Sequence, residues 1–567
     1  MNIGPSRKAI ESIGLLYVAA PMWIFLATWV VQPLGSMLAG LHAIWLWRAC
    51  RHDHATASDE RLPWRSVALL TTLAAAWSAF GGAGHLFHAN AFDWVPRYAL
   101  ARDLAVTDWP LGWRDGDARW LLRAPLGYYL VPSLLAKLTG LAQLDRLLLA
   151  WTAAGAALTL LIAFGRGRRA LLAGLAFVAC GGFDLIGELT RNGGWPAPGQ
   201  HLEGWAQTIE YWSNSALLFW VPNHTLAAWI MTAIMIGRVG EPGFTCRQLP
   251  LMMGPLALWS PFSLIGILPL AFGALWAVRR RPADADTTRP ISLHATQWSG
   301  LRHLLPLPGH ALMGLLAAAP ILLYLTQAVS SIPAQPLGAR TADLARIVEG
   351  LRFFALEISF WLLVWFLPLR GRRAADGTRA RPWGSMEWAA LLSLCVWPWL
   401  HFGGSNDLVM RASVPALALM WFLLIQRYVQ GRGVTAQAAK PVRAASTVAP
   451  ANRHTTLPFL IALALGMPAP VQEFIRALTR PAWAPDLHLR LPEAFYRVAG
   501  GAHITPPHYM VPGQWMPGYA WLAPSTVHWI DVPGVAARRP VPDNVGISAH
   551  TRPHTRVGDT DQAHATR

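Results

Sequence analysis

Acidic residues are scarce in this chain: 30 Asp and Glu among 567 residues, against 47 Lys and Arg. Charged residues of either sign make up only 14%, hydrophobic ones 54%, and the mean hydropathy is +0.32, which excludes an ordinary soluble globular domain. Cysteine is also rare. Cys50, Cys180, Cys246 and Cys395 are widely separated in or beside apolar segments, with no CxxC spacing, so neither a disulfide framework nor a thiolate metal centre is expected. There is no internal repeat, Walker loop or Rossmann glycine pattern, so transport driven by nucleotide bound in this chain has no support. The formal net charge is +17, yet the basic residues sit in short clusters between apolar runs, not on one domain face. They read as topology signals, and no nucleic-acid partner is expected.

What the chain has is apolar runs of spanning length and 30 Trp, a residue that favours the headgroup layer. The class implied is an all-α integral membrane protein. The runs Ile13 to Val31, Leu34 to Trp47 and Ser66 to Phe80 come first, and an excess of Lys and Arg in cytoplasmic loops places the charged linker Arg48 to Arg65 inside. Further runs are Leu147 to Phe164, Leu171 to Leu189, Ala216 to Ile236, the pair Leu249 to Trp259 and Phe262 to Trp276, Leu312 to Val329, Phe353 to Leu369, Trp388 to Phe402, Val414 to Tyr428 and Leu457 to Val471. Pro125 to Leu138 is expected to lie at the outer interface, because counting it as a span would put Arg166, Arg168 and Arg169 outside. The result is roughly thirteen helices, N-terminus cytoplasmic and C-terminus outside, with a helical first outer loop. Residues 1–65 form an N-terminal hairpin and inner linker. Residues 66–475 form the membrane core, with outer loops at 81–146 and 190–214, and residues 476–567 form an outer tail whose end after Pro542 is expected to be disordered. Basic inner loops suggest a bacterial inner membrane, hence a periplasmic tail.

With acids so few, their positions carry information. Asp93-Trp94-Val95-Pro96-Arg97-Tyr98-Ala99, followed by Asp108-Trp109-Pro110, places a carboxylate at the membrane surface, where ionisable groups are costly. Asp93 is a candidate general base; alternatively it caps a helix or pairs with Arg97. Asp103 is spaced as a partner for Arg102 or Arg97, and Asp108 as a turn residue. Asp184 and Glu188, one helical turn apart, could hold a divalent metal, contact an acceptor, or simply mark a helix boundary. Glu203 and Glu210 lie among Trp195, Trp205, Tyr211 and Trp212, which suits a sugar-binding rim or an aromatic belt. His224, in Trp220-Val221-Pro222-Asn223-His224, would face the protein interior beside a disturbed helix. Arg411, in Gly403-Gly404-Ser405-Asn406-Asp407-Leu408-Val409-Met410-Arg411, needs a lipid phosphate or Asp407 as partner at that depth.

The order of an inner helix, an outer loop with an early Asp and then Arg97-Tyr98-Ala99, Asp108-Trp109-Pro110, and a basic residue before an interfacial helix (Arg123, Pro125, Tyr128) resembles the multi-pass C-type glycosyltransferases. That superfamily includes protein O-mannosyltransferases and the aminoarabinose transferase of lipid A. The likeness covers about Ser66 to Ile236. One departure is Trp94, where several relatives carry a second acid. The resemblance implies a polyprenyl-phosphate sugar donor, an outer-side lipid, glycan or protein acceptor, and Asp93 as base. Arg97, Arg411, Arg123, His224 and Asp407 would line the donor site, and Asp184 and Glu188 belong to the second loop. No cofactor is certain, though a divalent metal is possible. A transporter or flippase of a lipid-linked glycan, or a non-catalytic assembly subunit, are the alternatives; the first would need the same broken helices and cationic site.

Overall fold

The computed structural model describes residues 4–54, 60–207, 209–239, 241, 243–279, 308–326, 344–366, 384–402, 406–431, 453–499, 509–512 and 527–532. Outside them lie Arg280, Arg281 and the loop to residue 307, the Arg370, Arg372 and Arg373 cluster, residues 403–405, most of the basic linker to residue 452, and the tail from residue 533, on which the expectation of a disordered end falls.

The chain begins with α1 (Arg7–Trp29), capped by the Ser6 hydroxyl accepting from Ala9 N–H at 3.2 Å. Then come α2 (Leu34–His54), α3 (Trp64–Phe80), α4 (Ala91–Val106), strands β1 (Leu111–Asp115) and β2 (Ala118–Leu122), α5 (Leu130–Thr139) and α6 (Leu144–Phe164). Next are α7 (Ala170–Val178), α8 (Asp184–Asn192), α9 (Asn214–Trp220), α10 (Pro222–Gly237), α11 (Leu249–Leu251), α12 (Met253–Trp259) and α13 (Pro261–Arg279). The remaining helices are α14 (Pro308–Thr326), α15 (Leu344–Phe354), α16 (Phe360–Phe366), α17 (Ser385–Val396), α18 (Asp407–Tyr428), α19 (Arg453–Gly466), α20 (Pro468–Thr479) and α21 (Leu491–Val498). Strands β3 (Met510–Pro512) and β4 (His528–Asp531) follow.

Among the described residues six helical stretches are long and apolar enough to cross a membrane: Arg7–Trp29, Leu141–Phe164, Pro261–Val278, Gly309–Thr326, Asp407–Tyr428 and Thr456–Thr479. This is a multi-pass membrane protein. Several other expected spans are broken into shorter pieces. Leu171 to Leu189 divides into α7 and α8 around Cys180-Gly181-Gly182, and Ala216 to Ile236 divides at Pro222, which lacks the N–H that would continue the ladder. The stretch after Leu344 passes through a π-helical turn, Ala355–Ser359.

Two helices form the axis. Of α18's apolar window 94% is buried inside the protein, and every residue of α10 from Pro222 to Ile236 is buried, as expected of helices apolar on all sides. These two pack on each other, with α13 against both and α6 and α1 against α10.

The bundle has two distinct ends. At one, Arg7 pairs with Glu11 (2.6 Å), Arg238 with Glu11 (3.2 Å) and Arg166 with Glu60 (2.8 Å). From there α1, about 35 Å long at 1.5 Å per residue, reaches the opposite end, where Trp29 packs on Trp109 with ring centroids 5.4 Å apart. The basic cluster and the Asp93 loop therefore stand at opposite ends.

One expectation needs correction: the protein is not all-α. A four-stranded sheet, ordered β3-β2-β1-β4, covers the loop-bearing end. β1 and β2 form a hairpin closed by the two-residue turn of Gly116 and Asp117, with Gly116 at φ +56°, a region that favours glycine. β3 adds antiparallel to β2 and β4 parallel to β1, both from the C-terminal segment. Short strands in a Trp-rich loop carry little periodicity, and their partners come from the far end of the chain, so a pass along the sequence does not pair them. The expected helix within Pro125 to Leu138 is present as α5 (Leu130–Thr139), whose Lys137 Nζ donates to Thr107 O at 2.5 Å.

Candidate functional site

The site is built on the break between α9 and α10. Ending α9 at Trp220 and restarting at Pro222 leaves carbonyls of the last α9 turn without helical N–H partners. Helix α4 supplies donors instead: Trp94 Nε1 donates to Phe219 O at 2.7 Å and Arg97 donates to Trp220 O. Trp94 is 1% exposed. An acid in its place would face the Phe219 carbonyl in place of the indole donor. A Cβ on Gly82 would fall 1.7 Å from Trp94 Nε1, so glycine is needed for the indole to reach that carbonyl.

Asp93, one turn before Arg97, pairs with it at 2.8 Å and keeps a fifth of its side-chain surface exposed. On the central helix α18 the same spacing recurs, with Arg411 pairing to Asp407 at 2.9 Å in the helix's first turns. The two ion pairs named as alternatives in the sequence are thus both present. They also converge. The phenol of Tyr509, from the C-terminal segment, lies within electrostatic reach of Arg97, Arg411, Asp93 and Asp407 together, and burial pushes it up ahead of the opposing pull of the two cations. Tyr129, at the N-terminus of α5, is buried beside Tyr509, Arg97 and Asp93. Three donors among these groups are buried without a hydrogen-bond partner: Tyr129 Oη, Arg97 Nε and Arg411 Nε.

Glu210 approaches the same place. Its carboxylate accepts from Trp212 Nε1 at 2.7 Å, and burial, opposed by that bond and reinforced by Asp407 and Asp184, pushes it up to about 7. His224 joins through its backbone: Ser263 Oγ donates to His224 O at 2.7 Å and lies 3.4 Å from Arg411 O, while the imidazole Nε2 meets Asn223 Nδ2 at 3.0 Å. Arg123 is 2% exposed and its backbone N–H donates to Tyr509 O at 2.8 Å; burial lowers its guanidinium, with Tyr324 opposing.

Asp184 and Glu188 belong to a second cluster. Asp184 lies beside Glu357, and both carboxyl groups are buried. Trp205 Nε1 donates to Glu357 at 3.0 Å, and a Cβ on Gly182 would collide with the same carboxylate. Glu188 instead accepts from Asn192 and Gln200, each at 2.6 Å, so the two acids do not share one ligand. Glu203, pushed up by burial and by Asp184 and Glu473, accepts from Ser213 N–H at 3.0 Å. Glu473 is held by His201 (2.9 Å), Trp220 Nε1 (2.6 Å) and Arg476 (2.7 Å). Of the aromatic rim, Trp205 and Tyr211 are buried and Trp195 is 80% exposed. Among the described residues no group of three or more His, Cys, Asp or Glu is arranged to hold a metal ion.

Two contributors escaped sequence reasoning. Tyr509 lies in a Pro- and His-rich tail with no local sign of its destination, and Tyr129 reads as one more aromatic of an interfacial helix. Comparison with family profiles, curated proteins and solved structures found no match to this chain.

Proposed function

We propose that this protein is a membrane glycosyltransferase that moves a sugar from a polyprenyl-phosphate donor to a hydroxyl of an outer-side lipid, glycan or protein. The observation that carries the reading is that the Asp93–Arg97 and Asp407–Arg411 pairs both lie within electrostatic reach of the Tyr509 phenol, and that Arg97 Nε, Arg411 Nε and Tyr129 Oη are buried without hydrogen-bond partners. In this reading the acceptor O–H gives its proton to the Asp93 carboxylate as its oxygen bonds the anomeric carbon. The bond from that carbon to the phosphate oxygen breaks, and the departing phosphate keeps the electron pair beside Arg411 and Arg97. Asp93 and Asp407 are each engaged by a guanidinium, and the charge stabilisation is assigned to those two arginines. The basic end is read as cytoplasmic and the sheet-bearing end as periplasmic, in a bacterial inner membrane.

The test is transfer of radiolabelled sugar from polyprenyl-phosphate donors by the purified protein, with membrane extract as acceptor and folded Asp93→Asn and Arg411→Ala for comparison. Transfer by wild type that collapses in Asp93→Asn is the expected result. A second reading, a transporter of a lipid-linked glycan, is favoured by one feature: both ion pairs are internally closed. Glycan crossing reconstituted vesicles equally well with wild type and with Asp93→Asn, and no transfer from any donor, would replace the first reading with the second.

A further inference from the structure

The C-terminal segment does more than cover the loop. Trp483 Nε1 donates to Ala89 O at 2.8 Å, and Arg102 Nε to Leu487 O at 2.9 Å. The fully buried Asp103 carboxylate accepts from Leu491 N–H (2.9 Å), Trp113 Nε1 (2.8 Å) and Arg102 (2.8 Å). These bonds lay residues 483–498 along α4, the helix that bears Asp93 and Arg97, and α21 packs directly on it. Strand β3 then pairs with β2 in the register Leu122↔Met510, and the bond from Arg123 N–H to Tyr509 O continues the ladder by one residue. That bond fixes the backbone at Tyr509, whose ring packs on Phe495 at 5.1 Å. The phenol lies within electrostatic reach of both ion pairs, and Tyr129 Oη, Arg97 Nε and Arg411 Nε are buried donors without acceptors. Unmatched buried donors beside two guanidiniums favour an anion, and an anion with several oxygens above all.

We propose that the C-terminal segment supplies a binding residue to this site: Tyr509, clasped by β3, donates a hydrogen bond to a phosphate group held between Arg97 and Arg411. The naming of that phosphate as a lipid phosphate rests on the glycosyltransferase reading; the placement of Tyr509 does not. A neutral phenol adds a donor without adding charge, which leaves the ion pairs with their carboxylates intact.

The full-length protein in nanodiscs tests this in three measurements. Leu122→Cys with Met510→Cys should cross-link on oxidation, because a residue pair next to the hydrogen-bonded Arg123–Tyr509 position is a close, non-hydrogen-bonded one whose Cα separation suits a disulfide; failure to cross-link overturns the clasp. Without ligand, the Tm changes of Tyr509→Phe and Arg411→Ala should be non-additive in the double variant, whereas additivity removes Tyr509 from the site. Finally, polyprenyl phosphate, polyprenol of the same length and inorganic phosphate are compared as ligands. Wild type should bind polyprenyl phosphate, with Tyr509→Phe about tenfold weaker or more. Equal binding by Tyr509→Phe overturns the inference while leaving the transferase reading standing. Inorganic phosphate binding as well as the lipid would make the anion a free phosphate. Binding of none of the three by wild type would overturn the ligand assignment and the transferase reading together.

Discussion

At the scale of single residues, the site is defined by carboxylates whose surroundings differ. Asp93 is partly exposed and held by one guanidinium; in the proposed reading the acceptor meets it from the open side while Arg97 fixes its orientation. Asp93→Asn preserves the shape and an acceptor for Arg97 but cannot take a proton. The expected outcome is a transfer rate lower by about 10²- to 10⁴-fold, with a Tm close to wild type, read from transfer kinetics and thermal denaturation on the same preparation. Glu210 makes the opposite case. Raised to about 7 by burial, its carboxyl holds a proton in the folded protein over a pH range in which the unfolded chain has lost it. Folding therefore takes up a proton between the ordinary Glu range and about pH 7, and stability declines as pH rises through that window. Glu210→Gln removes the contribution. Its Tm should fall less than that of wild type between about pH 5 and pH 8, and an unchanged pH profile would mean that Glu210 is already well solvated.

At the scale of elements, the break at Pro222 and the helix that repairs it form one device. Helix α4 can offer Trp94 and Arg97 to the α9 carbonyls only because Gly82 gives the indole room. Gly82→Ala should destabilise the protein by about 2 kcal/mol or more, since the added methyl meets a ring locked in the core. Trp94→Phe in the same chain should recover part of that loss in a thermal melt. The second device is Asp103, which ties α4, β1 and α21 through three donors while itself at 0% exposure. Asp103→Ala leaves those donors buried and unmatched, at a cost of about 3 kcal/mol. Proteolysis should then cut the C-terminal segment before the bundle, whereas an unaltered digestion pattern would show that α21 is held by its apolar face alone. Asp103's pairing with Arg102 was legible from adjacency, and Asp93 with Arg97, and Asp407 with Arg411, from helical spacing. The Trp113 and Leu491 bonds were not, because nothing local in a sequence records which distant backbone group comes to a side chain.

At the scale of the molecule, the separation of the basic end from the sheet-bearing end is what gives the site a side. Single cysteines placed at Arg168 and at Arg119, in a background where Cys50, Cys180, Cys246 and Cys395 are replaced, should react with a membrane-impermeant maleimide from opposite faces of sealed vesicles. Reaction of both from one face would sink the topology. Composition and hydropathy determined that the chain is a helical multi-pass membrane protein, because a bilayer imposes one requirement on every spanning segment, apolar length with its backbone bonded internally. Helical spacing offered the two i,i+4 ion pairs as alternatives, and both are present, because such pairs are local. Proline already pointed to a disturbed helix at Pro222, but tertiary structure alone decided which distant segments prop the broken spans and that a sheet, assembled from the first long loop and the C-terminal segment, caps one end. It also decided that Tyr509 comes within electrostatic reach of two ion pairs far from it in the chain. Those arrangements depend on contacts between groups remote in sequence, where burial and unmatched hydrogen-bond donors, not local pattern, choose the partner.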